Sequence, residues 1–488
     1  MRPATHLLGL DTWETEDRVK AELGQPRASV ACIGPAGEKL VRFAGIFNDK
    51  GHVAATNGPG AVMGSKKLKA IAVSSTTSKI NLSDPERLRA LARHDWADSA
   101  SESLLGRSIK AGGTLGGMAA LGMSGAFPIK NMTTCDISDY ARYNLDDICS
   151  LVEMKPRPCW ACPWAHCNDV TVKEGRYAGL KAELPEYEDM AAWGPLIGNA
   201  DPAAAIMLSD LNDRLGMDVK EGGFTVSLAI ECYEKGLIGP ADTDGLELTW
   251  GNVEAIAELL QAIAHRRGFG EVLAEGVMRA AQRIGGEAEH FGVYHKNGIA
   301  PHTHDVRPKW ATVLRQAVSD MGSGMSLDPQ TSLYADIGHD KFSPAYSVEE
   351  LAAGVAKIGP RHQFGDSLIT CFFLLPKELS IMTEAVSLAT GWDFTPEEAL
   401  TVGRRILALQ RAFNLRHGLT PDKDDILSSR IAEPPEMGPA QGRTVAPVFA
   451  EMKRVYYRHM GWDEETSKPL PETLRALGLE AVARDLWE

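Results

Sequence analysis

Three cysteines within nine residues, Cys159-Trp-Ala-Cys162-Pro-Trp-Ala-His-Cys167, constrain this chain more than any other feature. Thiolates are soft, strong donors, and three on one tight loop grip a metal centre whose fourth ligand comes from elsewhere. Cys32, Cys135, Cys149, Cys232, Cys371 or a histidine can complete it. A proline beside the second cysteine suits an iron–sulfur loop, and Trp160 and Trp164 are expected to shield such a cluster from water. Zinc, completed by His166 or a remote cysteine, is the competing reading. Eight cysteines in 488 residues are too sparse for a disulfide framework, so the run points to a metal in a reducing compartment.

A chain of this length predicts about three domains. Lys plus Arg number 51 and Asp plus Glu 65, a net charge of −14. That balance argues against non-specific binding of nucleic acid or of an anionic membrane surface. No apolar run approaches the roughly 18 residues that span a bilayer; Leu368 to Leu375 is short and ends at Pro376. The opening MRPATHLLGLDTWETED lacks the basic, apolar and small-residue regions of an export signal. Together these features predict a cytoplasmic enzyme of several domains.

The first 75 or so residues read as β-rich. Short apolar runs at Ala28–Ile33, Leu40–Ala44 and Ala70–Val73 alternate with glycine-rich turns. The unit is too small to close a sheet, leaving open edges to be covered. After Asn81 the periodicity becomes helical. Asp84-Pro-Glu86 is a helix start, and Val253, Ile256, Leu259, Leu260 and Ile263 share one face of a helix over Asn252–His265. Helices are also expected over Pro396–Arg416 and Thr444–His459.

Further motifs have a plain structural reading beside a functional one. Gly58-Pro-Gly-Ala-Val-Met-Gly64-Ser-Lys66 misses the spacing of a phosphate loop, because Ser65 separates Gly64 from Lys66, and is read as a turn. Pro185-Glu-Tyr-Glu188-Asp offers a carboxylate suited to a general base, or acids at a helix N-terminus. Asp213-Arg-Leu-Gly216-Met-Asp218 reads as a helix C-cap with Gly216 at positive φ. His302-Thr-His304-Asp305 is read as a hydrogen-bonding loop.

In order, Gly34-Pro-Ala-Gly-Glu38, Gly60 to Lys66, Cys159-x2-Cys162-Pro, Pro185-Glu-Tyr-Glu188 and Asp213-x2-Gly216-Met-Asp218 are joined by others. These are Trp250-Gly-Asn252, Gly268-Phe-Gly270, Asp366-x4-Cys371, Gly403-x2-Ile406, Phe413-Asn414, Asp424-Asp-x-Leu427 and Tyr456-Tyr457 before Gly461-Trp462. From about residue 8 to the C-terminus this series resembles the aldehyde:ferredoxin oxidoreductase family of tungsten or molybdenum enzymes. The resemblance implies an α+β, mostly α-helical fold: a partial β-rich cofactor domain over residues 1–78, then two helical domains over 79–293 and 294–488. It implies a tungsten (or molybdenum) bis-pterin beside a [4Fe–4S] cluster ligated by Cys159, Cys162, Cys167 and Cys371. Asp213, Gly216, Met217, Asp218 and Asp366 match the segments that hydrogen-bond the pterins. Glu188, with Tyr187 beside it, matches the acid next to the metal. The implied reaction oxidises an aldehyde to a carboxylic acid, with electrons leaving to ferredoxin or an electron-transfer subunit. Reduction of acyl or aromatic CoA thioesters, or a cluster-only electron-transfer subunit, are the alternatives.

Five departures accompany the resemblance. The match begins inside the family's first domain, so part of the β domain is expected to lie upstream of a misassigned start, to be supplied by another chain, or to be absent. Ala55-Thr56 stand where the family has Gly-Arg, removing a cation suited to phosphate. The cysteine spacing is one residue longer than in well-known members. Met325 occupies the position of an active-site histidine, with His302 or His304 as candidates to substitute for it in space. Homodimers are frequent in the family, but the Glu and His that bridge some of them through a metal are here Met207 and Asp210, so that bridge is expected to be lost.

Overall fold

The computed structural model describes residues 1–74, 80–102, 104–320, 329–423 and 425–488. The fold is α+β and mostly helical, as the sequence implies. Two compact units interleave along the chain. One comprises Met1–Ser78, Gly113–Pro308 and Ser428–Arg443; the other comprises Lys79–Gly112, Lys309–Leu427 and Thr444–Glu488. The sequence region 294–488 therefore contributes to both. Among the described residues, no helix is long and apolar enough to cross a membrane.

In the first unit, strands β1 (Ser29–Cys32), β2 (Ile46–Asn48), β3 (His52–Ala54) and β4 (Ala70–Val73) form an antiparallel sheet in the order β3-β2-β1-β4. Val30, Cys32 and Phe47 are buried, while Ile71 and Val73 on β4 are exposed. Helix Thr12–Leu23, started by a capping box between Asp11 and Glu14, packs on β1. A second antiparallel sheet joins β5 (Val152–Pro156), β6 (Asn168–Val172) and β7 (Lys181–Glu183) in that order. Helix Val219–Glu234 is buried on all sides through Phe224, Val226, Leu228 and Ile230, which marks it as the centre of this core. Helices Pro202–Leu215 and Val253–Ala264 pack against each other. The latter starts at an Asn252 N-cap, in line with the apolar stripe read from the sequence.

Two expectations for this unit fail. Leu40–Ala44 is not a strand. Leu40 turns at φ 58, and the backbone bonds instead to a remote loop, Asp218 N donating to Phe43 O at 2.8 Å and Gly45 N to Gly216 O at 3.0 Å. The glycine run after Gly58 is not a turn but a helix, Pro59–Ser65. A Cβ at Gly60 would lie 2.3 Å from Gly45 O and one at Gly64 2.0 Å from Gly37 O. Its glycines thus serve close backbone packing.

In the second unit, helix Val348–Ser367 packs against helices Pro396–Arg416 and Phe449–Met460. A Cβ at Gly403 would sit 1.9 Å from Pro360 O, so that crossing requires glycine. Arg411 is fully buried, bonded to Asp425 at 2.7 Å and Asp320 at 3.3 Å; Tyr457 donates to the same Asp425. A buried guanidinium so paired avoids the cost of an isolated charge.

Candidate functional site

The register of β5 with β6 ends at Pro156↔Asn168, leaving residues 157–167 as the connection that carries the cysteines. Arg157 N donates to Cys167 O at 2.9 Å and closes its base. Ala161 and Ala165 adopt φ 57 and 50, bending the loop so that Cys159 Sγ and Cys167 Sγ lie 3.8 Å apart. Cys167 is buried, Cys162 half-buried and Cys159 exposed. Burial first, then the nearby Cys159 and Glu186, pushes the Cys167 thiol well upward. Two thiolates this close need a cation between them, so the donor set fits a soft metal centre. His52 Nε2 lies 3.3 Å from Cys159 Sγ. His166 Nε2 lies 3.6 Å from Cys167 Sγ and 3.3 Å from Glu186 Oε1. The expected shielding is one-sided: Trp164 is buried, whereas Trp160 is 97% exposed. Cys371, also exposed, and Asp366 belong to the second unit, at and just beyond the end of helix Val348–Ser367.

Glu188 sits in the first turn of the short helix Tyr187–Ala192. Thr114 fixes the start of that helix, accepting from Tyr187 N at 2.7 Å and donating to Glu186. The Glu188 side chain is 25% exposed and meets the His302–His304 loop. Its Oε2 accepts from Thr303 N at 2.5 Å; its Oε1 lies 3.2 Å from His304 Nε2 and 3.5 Å from His302 Nδ1. Burial alone would raise this carboxyl, but His304 and His302 hold it well below the ordinary glutamate value. Tyr187 is buried, its ring stacked on His304 at 4.5 Å. Burial and the neighbouring Glu188 and Asp305 carboxylates keep its phenol protonated, and its hydroxyl has no hydrogen-bond partner among the described residues. The loop read as a hydrogen-bonding one thus supplies three groups around the candidate base, the Thr303 N–H and the two imidazoles. Met325 lies outside the described residues.

Asp213, on the last turn of helix Pro202–Leu215, leads into Gly216 at φ 85 and then Met217 and Asp218. Asp218 caps the next helix by accepting from Lys220 N at 2.8 Å. Met217 bridges Ala44, tying this loop to the β-rich segment. Burial, with Asp189, Glu183 and Asp210 nearby, raises the Asp213 carboxyl well above its ordinary value. Asp189 is likewise pushed up to about 7, first by burial and then by Glu186 and Glu188, and Glu183 to about 7 mainly by burial. Carboxyls that disfavour one another's charge in this way call for hydrogen-bond donors. The ring and amino N–H groups of a pterin are such donors, so these residues fit that group. Asp210 pairs with Arg214 at 2.7 Å.

Residues 1–75 match the family described as "Aldehyde ferredoxin oxidoreductase, N-terminal domain", and residues 93–479 match "Aldehyde ferredoxin oxidoreductase, domains 2 & 3". The tungsten-containing aldehyde ferredoxin oxidoreductase of Pyrococcus furiosus is 33% identical over 496 residues, covering 98% of this chain and 78% of that protein. That of Thermococcus kodakarensis is 32% identical over 485 residues, covering 96% and 76%. A WOR-like subunit of an aliphatic sulfonate oxidoreductase from P. furiosus is 31% identical over 498 residues, covering 96% and 74%. Among solved structures, a chain of the active site complex BamBC of benzoyl coenzyme A reductase, in complex with 1,5-dienoyl-CoA, aligns at TM-score 0.83 and 22% identity. That alignment covers 99% of this chain and 78% of the other; at such identity the likeness speaks for the fold alone.

Proposed function

Because the chain belongs to the aldehyde ferredoxin oxidoreductase family, a family of tungsten-containing oxidoreductases, we propose that it oxidises an aldehyde to a carboxylic acid. The observation that supports this reading most directly is Glu188, held ionised by His302 and His304, the latter stacked on the Tyr187 ring. When bound, a tungsten bis-pterin supplies the two-electron redox chemistry and a [4Fe–4S] cluster the one-electron outflow to ferredoxin or a partner subunit. Asp213 and the backbone from Gly216 to Asp218 would hold a pterin, with Asp366 assigned by motif to the second. Cys159, Cys162 and Cys167 would bind the cluster, with Cys371 the fourth ligand by its place in the motif series.

Conversion of RCHO and water to RCOOH releases two electrons and two protons. Glu188 accepts the proton of the attacking water at Oε1 or Oε2, and His304 Nε2, 3.2 Å from Oε1, donates to that carboxylate and orients it. The Tyr187 hydroxyl, protonated and without a partner among the described residues, can donate to the carbonyl oxygen as negative charge develops there. Its stacked ring also fixes the plane of His304.

The test is aldehyde-dependent reduction of a viologen dye by full-length protein from cells supplied with tungsten and molybdenum, with both metals and iron quantified. Turnover by the loaded protein is the expected result. A protein fully loaded with metal that turns over no aldehyde would refute the assignment.

A further inference from the structure

The turn between β2 and β3 is keyed to the second sheet at several points. Asp49 and Lys50 adopt φ 51 and 55. Arg157, at the foot of the cysteine loop, donates to Asp49 O and pairs with Asp169 at 2.6 Å and Glu183 at 3.0 Å. Gly51, at φ 150, lies so close to Glu183 that a Cβ would fall 1.5 Å from its carboxylate oxygen. The hairpin register Asn48↔His52 then sets where the next side chain goes. His52 Nε2 arrives 3.3 Å from Cys159 Sγ, and the ligand atoms of His52, Cys159 and Cys167 all lie within 4.8 Å of one another. Cys159 borders an open cavity of about 1020 Å³ that His52, Arg157 and Trp160 also line. It is thus the most water-accessible sulfur of the loop, and His52 is the imidazole that reaches it.

We infer that His52 donates its Nε2–H to the Cys159 thiolate and thereby sets the reduction potential of the [4Fe–4S] cluster. This rests on the cluster assigned above. A hydrogen bond to a cluster sulfur withdraws electron density and favours the reduced, more negative state, raising the potential. His52 is a positioning residue in this scheme. It touches a ligand, not the substrate, and Arg157 with Gly51 hold it in place.

The experiment is an EPR-monitored redox titration of the full-length holoenzyme, with iron counted in each preparation. In His52→Ala the cluster should be retained with about four irons, as in wild type. Its midpoint should move to a more negative potential, giving up to about tenfold less reduced cluster at a fixed poise. His52→Gln keeps an N–H donor and should recover much of the shift. An unchanged midpoint in His52→Ala overturns the inference. So does loss of iron from both variants, which would make His52 a ligand instead of a donor. Wild-type protein without iron refutes the cluster itself, an outcome distinct from either.

Discussion

Glu188 shows how one carboxylate is made useful by neighbours from far along the chain. Thr303, whose N–H it accepts, is 115 residues away. Replacing Glu188 with Gln keeps the shape and removes the base, so aldehyde turnover should fall about 10²- to 10⁴-fold with tungsten and iron content unchanged. Unaltered turnover would exclude Glu188 as the base. Its pH signature has a definite sign. His304 and His302 depress the carboxyl below its ordinary value against the effect of burial. The stability it contributes is therefore present above the ordinary glutamate pKa of about 4.3 and lost as pH falls further, through the folded value. Urea unfolding at pH 6 and pH 3 should show the gap between wild type and Glu188→Gln closing at the lower pH. The acid itself was legible in the sequence because Pro185-Glu-Tyr-Glu188 is a contiguous motif, and the cysteine run for the same reason. His302 and His304 were legible only as substitutes for the histidine replaced at Met325, and His52 was not legible as a site residue at all. Each is a lone imidazole in a loop or short strand, and its partner is supplied only by tertiary packing.

At the scale of elements, legibility followed local signals. Helices with an N-cap and an apolar stripe, such as Val253–Ala264 after Asn252 and Pro396–Arg416 after the Thr395–Glu398 capping box, lie where the periodicity puts them. The segment Leu40–Ala44 carries a strand-like pattern, yet its backbone bonds go to Gly216 and Asp218. A partner more than 170 residues away outweighs local propensity at that position. The true strands β2 and β3 have three residues each, too few to display alternation. Glycine placement, by contrast, reports close contacts that a pattern search reads as turns. Gly403 is the clearest test, since a Cβ there would lie 1.9 Å from the backbone oxygen of Pro360. Gly403→Ala must push helix Pro396–Arg416 off helix Val348–Ser367. Overpacking of this kind should cost about 1–3 kcal/mol, against the small gain that alanine normally brings to a helix interior. Urea denaturation of the variant measures the sum, and a stabilised Gly403→Ala would show that the two helices part freely.

For the molecule as a whole, the excess of acid described by a net charge of −14 is partly placed inside. Asp189 is raised to about 7, by burial and by Glu186 and Glu188, so its proton binds more tightly in the folded state. The contribution of Asp189 to the stability of protein lacking the pterin should then be fully present below about pH 3.8 and be lost as pH rises through about 7. Asp189→Asn should flatten that slope, as should pterin loading, which brings donors to the carboxyls; calorimetry across this range checks both. Chain order imposes a second demand. The first unit is completed only when Ser428–Arg443 returns to it after more than a hundred residues spent in the other. Tyr294 N donates to Ser428 Oγ at 3.1 Å, and Arg430 reaches the buried Glu231 at 2.7 Å. Asn131 donates to the other Glu231 oxygen at 2.6 Å. This ion pair closes the unit between residues 199 apart, so its loss bears on the assembled chain and not on one helix. Arg430→Met leaves Glu231 charged in a dry interior and should cost about 3–5 kcal/mol, whereas Glu231→Met with Arg430→Met should recover much of that loss. Chemical denaturation of both variants decides the matter. Equal destabilisation by the single and double substitutions would mean that the segment is held by its packing, with the charge pair incidental to how the chain closes on itself.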